Sequence, residues 1–488
     1  MEHNYKQLFV GGDLSGIQKF LYNISSKKAA LSLKGRSASL NDFLRGVCKR
    51  IEDTIQGYGS TYDELYCSGG KFYLLTDNNK EICAAIDECT KLVTKDLWKE
   101  HMGQLGICIC YVPFTENADK TVNTDGLENQ EPGYLWKIIN ESFHRQKNQK
   151  YRNLLTDDFD GFFEPLPVGG EIRVCGITGI ESPDCINYED MYVLPSVSEQ
   201  IQKGKQLQRK QGFKTFEEYA KDTKLGVLRM DVDGLGKRFE VGFKSIQEYK
   251  VFSRRLVEFF ENETDNIRKE DEFYEHINII YAGGDDLFVV GRWDKVIDFA
   301  ERIHKEVEST FSKEGITISG GISIVNPKYP IAKAAELAGD AEEAAKKFHD
   351  GEKNAFTLFG KAISWKEEFN IVTEYRDKFV TLFQKYDLSK SILHKIMLYS
   401  SIADNNVIRK RDGKPEDFSY IWHISYYLTR YINRYKSRYK LNEEVCNFCR
   451  DLRDRELDYK NTRRLELIAI AARWAELILI MQKSETNN

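Results

Sequence analysis

Four acidic residues in two short runs carry the strongest chemical signal in this 488-residue chain. Asp231-Val232-Asp233 follows the apolar run Gly226-Val227-Leu228-Arg229-Met230. Gly283-Gly284-Asp285-Asp286 stands between Ile277-Asn278-Ile279-Ile280-Tyr281 and Leu287-Phe288-Val289-Val290. The two apolar runs read as largely buried strands joined by a tight Gly-Gly turn, with the acids at the turn. Glycine takes backbone angles that a side chain forbids and lets a phosphate come close. Asp231 and Asp233, two apart at a strand end, point to one face in extended geometry. When such a hairpin lies beside that strand, three or four carboxylates converge. Each pair of like charges 4 Å apart costs about 4 kcal/mol at an effective dielectric of 20, so cations must neutralise the cluster. Mg²⁺ or Mn²⁺ held by carboxylates and substrate phosphates does this, and two such ions activate a 3′-hydroxyl and steady a leaving pyrophosphate.

The elements that must position these acids follow a fixed order. After the strand 226–230, Ile246, Tyr249, Phe252, Leu256 and Phe259 recur near helical spacing. After the hairpin, Val296, Ala300, Ile303, Val307 and Phe311 form one apolar helix face, with Asp294 placed to cap its start. Ile316 to Val325 closes the unit as a strand. Strand, helix, strand, strand, helix, strand is the split βαβ order of a ferredoxin-like palm.

The first hundred residues repeat the outline. Leu8-Phe9-Val10 runs into Gly11-Gly12-Asp13-Leu14-Ser15-Gly16, Leu65 to Leu75 surround Ser68-Gly69-Gly70-Lys71, and Gly106 to Val112 is the last strand. Asp13 and Gly69 stand 56 positions apart, Asp231 and Gly283 52 apart, so we read two copies of one module. Aligned on the Gly-Gly dipeptides, Ser68-Gly69-Gly70-Lys71 matches Ala282-Gly283-Gly284-Asp285. The first copy lacks the acids and cannot build the same metal site. Ser68, Gly69 and Gly70, with Lys71, either seat a second nucleotide or persist as scaffold.

The expected fold class is α+β, with two ferredoxin-like palms of the nucleotide cyclase or polymerase type and a C-terminal helical bundle. The expected domains are 1–115 (first palm), 116–215 (inter-palm insertion), 216–360 (second palm) and 361–488 (helical). A net charge of −5 argues against a freestanding, strongly basic nucleic-acid binder. Ten cysteines, a polar N-terminus and no apolar run of membrane-spanning length point to a reducing, cytoplasmic setting without a membrane partner.

Several motifs read as structure before function. Lys203 to Lys210 is a solvated link, and His349-Asp350 lacks the companion ligands of a phosphohydrolase. Cys446-Asn447-Phe448-Cys449 is a lone CxxC, and Cys175 and Cys185 are isolated, so no zinc is expected. Tyr431 to Lys440 interleaves bases with aromatics, as an inward-packed helix or an RNA contact would. Lys346, on a helix whose other face is apolar, is a candidate triphosphate ligand.

The pair of palms, with Gly12-Asp13-Leu14-Ser15-Gly16-Ile17-Gln18 and Leu33-Lys34-Gly35-Arg36-Ser37 in the first and the two acidic motifs in the second, resembles the large signature subunit of type III CRISPR effector complexes. The resemblance implies a nucleotidyltransferase that converts ATP into cyclic oligoadenylates when its guide-RNA complex captures target RNA. It puts Asp285 and Asp286 on metals and nucleotide, with Asp231 beside them. Gly283 and Gly284, which let a phosphate come close, and Asp233, on the face of Asp231, are read from residue type and spacing as nucleotide-binding. Guide RNA, target RNA and other CRISPR-associated subunits are the implied partners. Close variants of this reading join AMP to an acceptor such as S-adenosylmethionine, or leave the chain a non-catalytic scaffold. Many members begin with an HD nuclease domain. This chain enters the first palm almost at once, so an HD-less form without DNA cleavage is expected.

Overall fold

The computed structural model describes residues 5–101, 103–157, 159, 171–221, 223–386, 388–438, 443–456 and 462–485. The chain forms two compact units, residues 1–318 with 324–339 and residues 319–323 with 340–488.

The first unit holds the first copy of the repeat and the second copy apart from residues 319–323 of its last strand. In the first copy, β1 (Gln7–Ser15), β2 (Tyr62–Ser68), β3 (Lys71–Asp77) and β4 (Gly106–Glu116) are followed by the short β5 (Val122–Thr124) and β6 (Leu127–Gln130). They form one sheet in the order β2-β3-β1-β4-β5-β6. The sheet thus runs past residue 115 to Gln130, into the segment read from sequence as insertion. Helices Ala29–Gly57 and Lys80–His101 pack on it through Leu40, Leu44, Ile51, Ile82, Ile86 and Val93. Each such buried aliphatic side chain contributes about 1.5–3 kcal/mol relative to exposure.

Between the copies lie two small hairpins, β7 (Arg173–Val174) with β8 (Glu181–Ser182) and β9 (Ile186–Tyr188) with β10 (Met191–Val193). Cys175 and Cys185 are buried in their core. The helix Pro195–Gln211 carries the Lys-rich run, whose Lys203 pairs with Asp42 and Lys205 with Glu189.

In the second copy, β11 (Leu225–Val232) lies between β13 (Asp286–Arg292) and β14 (Ile318–Val325), with β12 (Ile277–Gly283) outside β13. The order β12-β13-β11-β14 repeats β2-β3-β1-β4. Trp293, Val296, Ile297, Ala300, Ile303 and Val307 of the helix Trp293–Thr310 are buried, as the spacing predicts. Asp294 does not cap this helix. It sits in the first turn and its carboxylate accepts two bonds from Arg292 at 2.8 Å. A π-helical turn, Phe259–Glu263, interrupts the helical segment that follows β11.

The second unit begins within β14, where Gly320 pairs in parallel with Phe356 of β15 (Ala355–Leu358), itself paired with β16 (Lys361–Ser364). Its remainder is helical: Glu368–Tyr386, Ser391–Arg411, Ser419–Arg438, Glu443–Asp451 and Thr462–Glu485. Cys446 and Cys449 are buried there. Tyr431 and Ile432 are buried too, which favours inward packing for the start of the Tyr431–Lys440 run. The side chains of 435–440 and of Asp350 lie outside the described residues. Among the described residues no helix is long and apolar enough to cross a membrane.

One packing feature of the first palm carries a pH prediction. His101 stacks edge-on against Phe20, and burial, then the Arg36 charge, lower its pKa to about 4. Glu100, 3.8 Å from the imidazole, is largely exposed and solvent screens it. The unfolded chain takes up this proton near pH 6.5 and the folded chain only near 4. Stability is therefore full above pH 6.5, declines as pH falls from 6.5 to 4, and loses about 3 kcal/mol at most. Urea midpoints of the wild type and His101→Gln across that window should converge as pH falls.

Candidate active site

The two hairpins show how the acids are placed. Gly283 pairs with Asp286 across the second turn, and Ser68 pairs with Lys71 across the first. The two-residue turns are therefore Gly284-Asp285 and Gly69-Gly70. Structurally, Ser68-Gly69-Gly70-Lys71 corresponds to Gly283-Gly284-Asp285-Asp286, one position away from the match of Gly-Gly letters. The strands agree: Asp13 pairs with Lys71 as Asp231 pairs with Asp286. The Leu14 N–H bonds the Gly70 carbonyl at 2.8 Å, and the Val232 N–H bonds the Asp285 carbonyl at 3.1 Å. Both β2 and β12 also carry a bulge just before the turn, between Glu64 and Tyr66 and between Ile279 and Tyr281. The first palm thus keeps Asp13 for Asp231 and has Gly70 and Lys71 where the second has Asp285 and Asp286.

Backbone angles explain one of these differences. Gly69 and Gly70 have φ of 61° and 81°, whereas in the second turn only Gly284, at 69°, is positive. Asp285 is not among the residues with positive φ, so that position carries a side chain without strain.

Asp231, Asp285 and Asp286 bring carboxylate oxygens within 4.8 Å of one another, all partly buried. Asp233 is not in this group. β11 ends at Val232 and Gly234 is left-handed, so extended alternation stops there. Asp233 instead accepts a 2.8 Å bond from the Thr317 hydroxyl, and its N–H donates to the Thr317 carbonyl at 2.9 Å. Lys346 lies in the second unit, paired with Glu342 at 2.8 Å.

The turns of the two palms abut. The Ser68 hydroxyl accepts from the Gly284 N–H at 3.0 Å and donates to Glu261, in the π-helical turn, at 2.9 Å. A Cβ on Gly69 would lie 2.8 Å from the Gly284 Cα, and one on Gly284 2.7 Å from the Tyr66 hydroxyl. Ser68 and Gly69 therefore serve directly as the seat of the acidic turn. Burial, then the Asp285 charge, pushes the Tyr66 phenol well up; burial, then Asp286 and Asp285, does the same to Tyr281. Both remain protonated beside the carboxylates.

A cleft of about 590 Å³ opens beside this junction, lined by Asp286, Arg229 and Tyr281 of the second palm and by Asp13, Lys19 and Lys147 of the first. Lys147 was not singled out in the sequence. It ends the helix Gly133–Lys147 and pairs with the buried Asp13 at 2.6 Å. Truncating either partner has unequal effects. Lys147→Met strands a buried carboxylate and should lower stability by about 2 kcal/mol, the lysine's partial exposure reducing the cost of a fully buried pair. Asp13→Asn frees a lysine that reaches water and should cost less than about 1 kcal/mol. Thermal midpoints of the two variants test the order.

Two carboxylates on a palm hairpin and a third on the strand beside it, the hairpin turn seated against a second palm, define a paired-palm protein whose donor set fits hard divalent cations. Residues 224–357 match the family of the Cas10/Cmr2 second palm domain, and residues 6–165 match Csm1 subunit domain B. The chain belongs to the family of large palm-domain subunits of type III CRISPR effector complexes. It is 29% identical over 434 residues to the CRISPR system single-strand-specific deoxyribonuclease Cas10/Csm1 (subtype III-A) of Enterococcus italicus, covering 74% of this chain and 55% of that one. The corresponding Mycobacterium tuberculosis protein is 25% identical over 506 residues, covering 82% and 60%. The chain thus spans less than two thirds of the length of these relatives. Among solved structures, an apo Csm1–Csm4 cassette superposes with a TM-score of 0.67 at 19% identity, over 97% of this chain and 70% of that one. A Csm1–Csm4 cassette in complex with cA4 gives 0.64 at 18%, over 98% and 69%.

Proposed function

We propose that this chain is the nucleotidyltransferase subunit of a type III CRISPR ribonucleoprotein, joining ATP into cyclic oligoadenylates once guide RNA has captured target RNA. The observation that carries the reading is the convergence of Asp231, Asp285 and Asp286, of which Asp286 lines a cleft whose other wall is the first palm. Fold neighbours crystallised with one ATP and with cA4 support the substrate and product class.

In this reading Asp231, Asp285 and Asp286 hold Mg²⁺ or Mn²⁺, which supplies Lewis acidity at the attacking 3′-hydroxyl and the leaving pyrophosphate. Asp285 and Asp286 are the catalytic pair and Asp231 completes the set. The Gly284 N–H is taken by Ser68, so that glycine's role is to hold the turn in place. Gly283 and Asp233 are assigned to the nucleotide. Tyr281 and Tyr66 keep their protons beside the carboxylates. On the first palm, Gln18 and Lys19 offer donors to a second nucleotide's phosphates across the cleft. Ser68, Gly69 and Gly70 shape that seat by fixing the turn, and Lys346 is assigned to a triphosphate. Guide RNA, target RNA and further CRISPR-associated subunits are the partners.

The test is product identity. The assembled complex, given target RNA and labelled ATP with or without S-adenosylmethionine, should yield adenylate-only cyclic products of unchanged mass in both arms. A product that appears only with the acceptor overturns the oligoadenylate reading.

A further inference from the structure

Away from the carboxylates, a second group of ligand-type side chains converges in the first palm. Cys48, on the helix Ala29–Gly57, and Glu64 and Cys67, both on β2, bring two sulfurs and a carboxylate oxygen within 4.8 Å of one another. Glu64 and Cys67 are three apart on a strand, where strict alternation would put them on opposite faces. The bulge between Glu64 and Tyr66 inserts the extra residue that turns both to one side. Leu65 and Tyr66 between them are buried, while Glu64 and Cys67 look outward over a cavity of about 650 Å³.

We propose that Cys48, Glu64 and Cys67 form a site for a thiophilic divalent cation, zinc by preference, that staples the helix to β2. The Cys48 and Cys67 sulfurs lie 3.2 Å apart and both cysteines are free thiols. Two Zn–S bonds of about 2.3 Å at the tetrahedral angle place sulfurs about 3.7 Å apart, so the pair need open only by about half an ångström, within small side-chain rotations. Two thiolates and a carboxylate suit borderline-soft Zn²⁺ over Mg²⁺. The Tyr62 hydroxyl donates to Glu64 at 3.2 Å, the outer contact that orients a ligating carboxylate. The fourth position faces the cavity, where water reaches it. Binding exchanges the two thiol protons for the metal and releases them to solvent, with no change in oxidation state. Arg45, Lys49 and Arg254 line the same cavity with Glu52 and Glu258; Lys49 pairs with Glu52 at 3.1 Å and Arg45 with Glu261 at 2.9 Å. Cys67 directly precedes Ser68, whose hydroxyl holds the Gly284 N–H. The staple therefore stiffens the hairpin on which the acidic turn rests.

The experiment uses the full chain, stripped with chelator under reducing conditions and titrated with Co²⁺, then Zn²⁺. The expected result is one equivalent of Co²⁺ with thiolate-to-cobalt charge-transfer absorption, displaced by Zn²⁺. This absorption is lost in Cys48→Ser and Cys67→Ser and unchanged in the Cys446→Ser plus Cys449→Ser double variant. Glu64→Gln, at an exposed position that leaves the fold intact, should weaken Co²⁺ binding at least about tenfold. Absence of the charge-transfer band in the wild type, a band that survives Cys67→Ser, or unchanged affinity in Glu64→Gln overturns the proposal.

Discussion

Replacing Asp285 and Asp286 together by alanine should lower the rate of ATP consumption by roughly 10³-fold or more, because metal-borne stabilisation of a transition state is worth several kcal/mol and each 1.36 kcal/mol is tenfold. The same variant should be no less stable than the wild type in the absence of divalent cation. Asp231, Asp285 and Asp286 hold three carboxylates within 4.8 Å, and their mutual repulsion stands against folding until a cation enters. Mn²⁺ or Mg²⁺ should therefore raise the wild-type melting temperature and leave that of the double variant unmoved. Thermal scans with and without the cation, run beside the ATP assay, separate loss of chemistry from loss of fold. An equal cation-induced shift in both proteins would count against these residues as ligands.

Gly69→Ala, in the palm without the acids, should be nearly as damaging. The residue sits at φ 61°, where a Cβ costs about 1–2 kcal/mol. That Cβ would also stand 2.8 Å from the Gly284 Cα, a backbone atom that cannot swing aside. The acidic turn must shift, and a misplacement of about 1 Å at a reacting centre costs about 10²-fold in rate. Gly70→Ala is the control. Its φ of 81° is just as strained, but its Cβ meets the Cδ1 of Ile17 at 2.3 Å, the end of a flexible side chain. The two variants should lose similar stability, while Gly69→Ala loses far more activity. Equal activity losses would contradict the turn-on-turn account.

What the sequence made legible follows from how local each signal is. The apolar runs on either side of Asp285-Asp286 and the face formed by Val296, Ala300, Ile303 and Val307 are set by near neighbours, and both elements stand where the periodicity put them. The match between the turns was off by one because letters align Gly-Gly with Gly-Gly, whereas strand pairing aligns Ser68 with Gly283. Asp233 parted from Asp231 because the strand ends between them, which an assumed extended geometry does not contain. The hairpins between Arg173 and Val193 use strands of two or three residues, too short for any period to show. Lys147 meets Asp13, and Cys48 meets Cys67, only through tertiary folding. The expectation of no zinc rested on spacing along the chain, and Cys48, Glu64 and Cys67 become neighbours only once β2 bulges against a helix.

The most direct test of the central claim, that the paired palms join ATP under the control of captured RNA, is the mass of products formed from labelled ATP by the assembled complex with and without complementary RNA. The account predicts cyclic adenylates linked 3′–5′ when that RNA is present and little or none in its absence. Equal turnover in both conditions, or complementary RNA that leaves ATP untouched in a fully assembled complex, would contradict it.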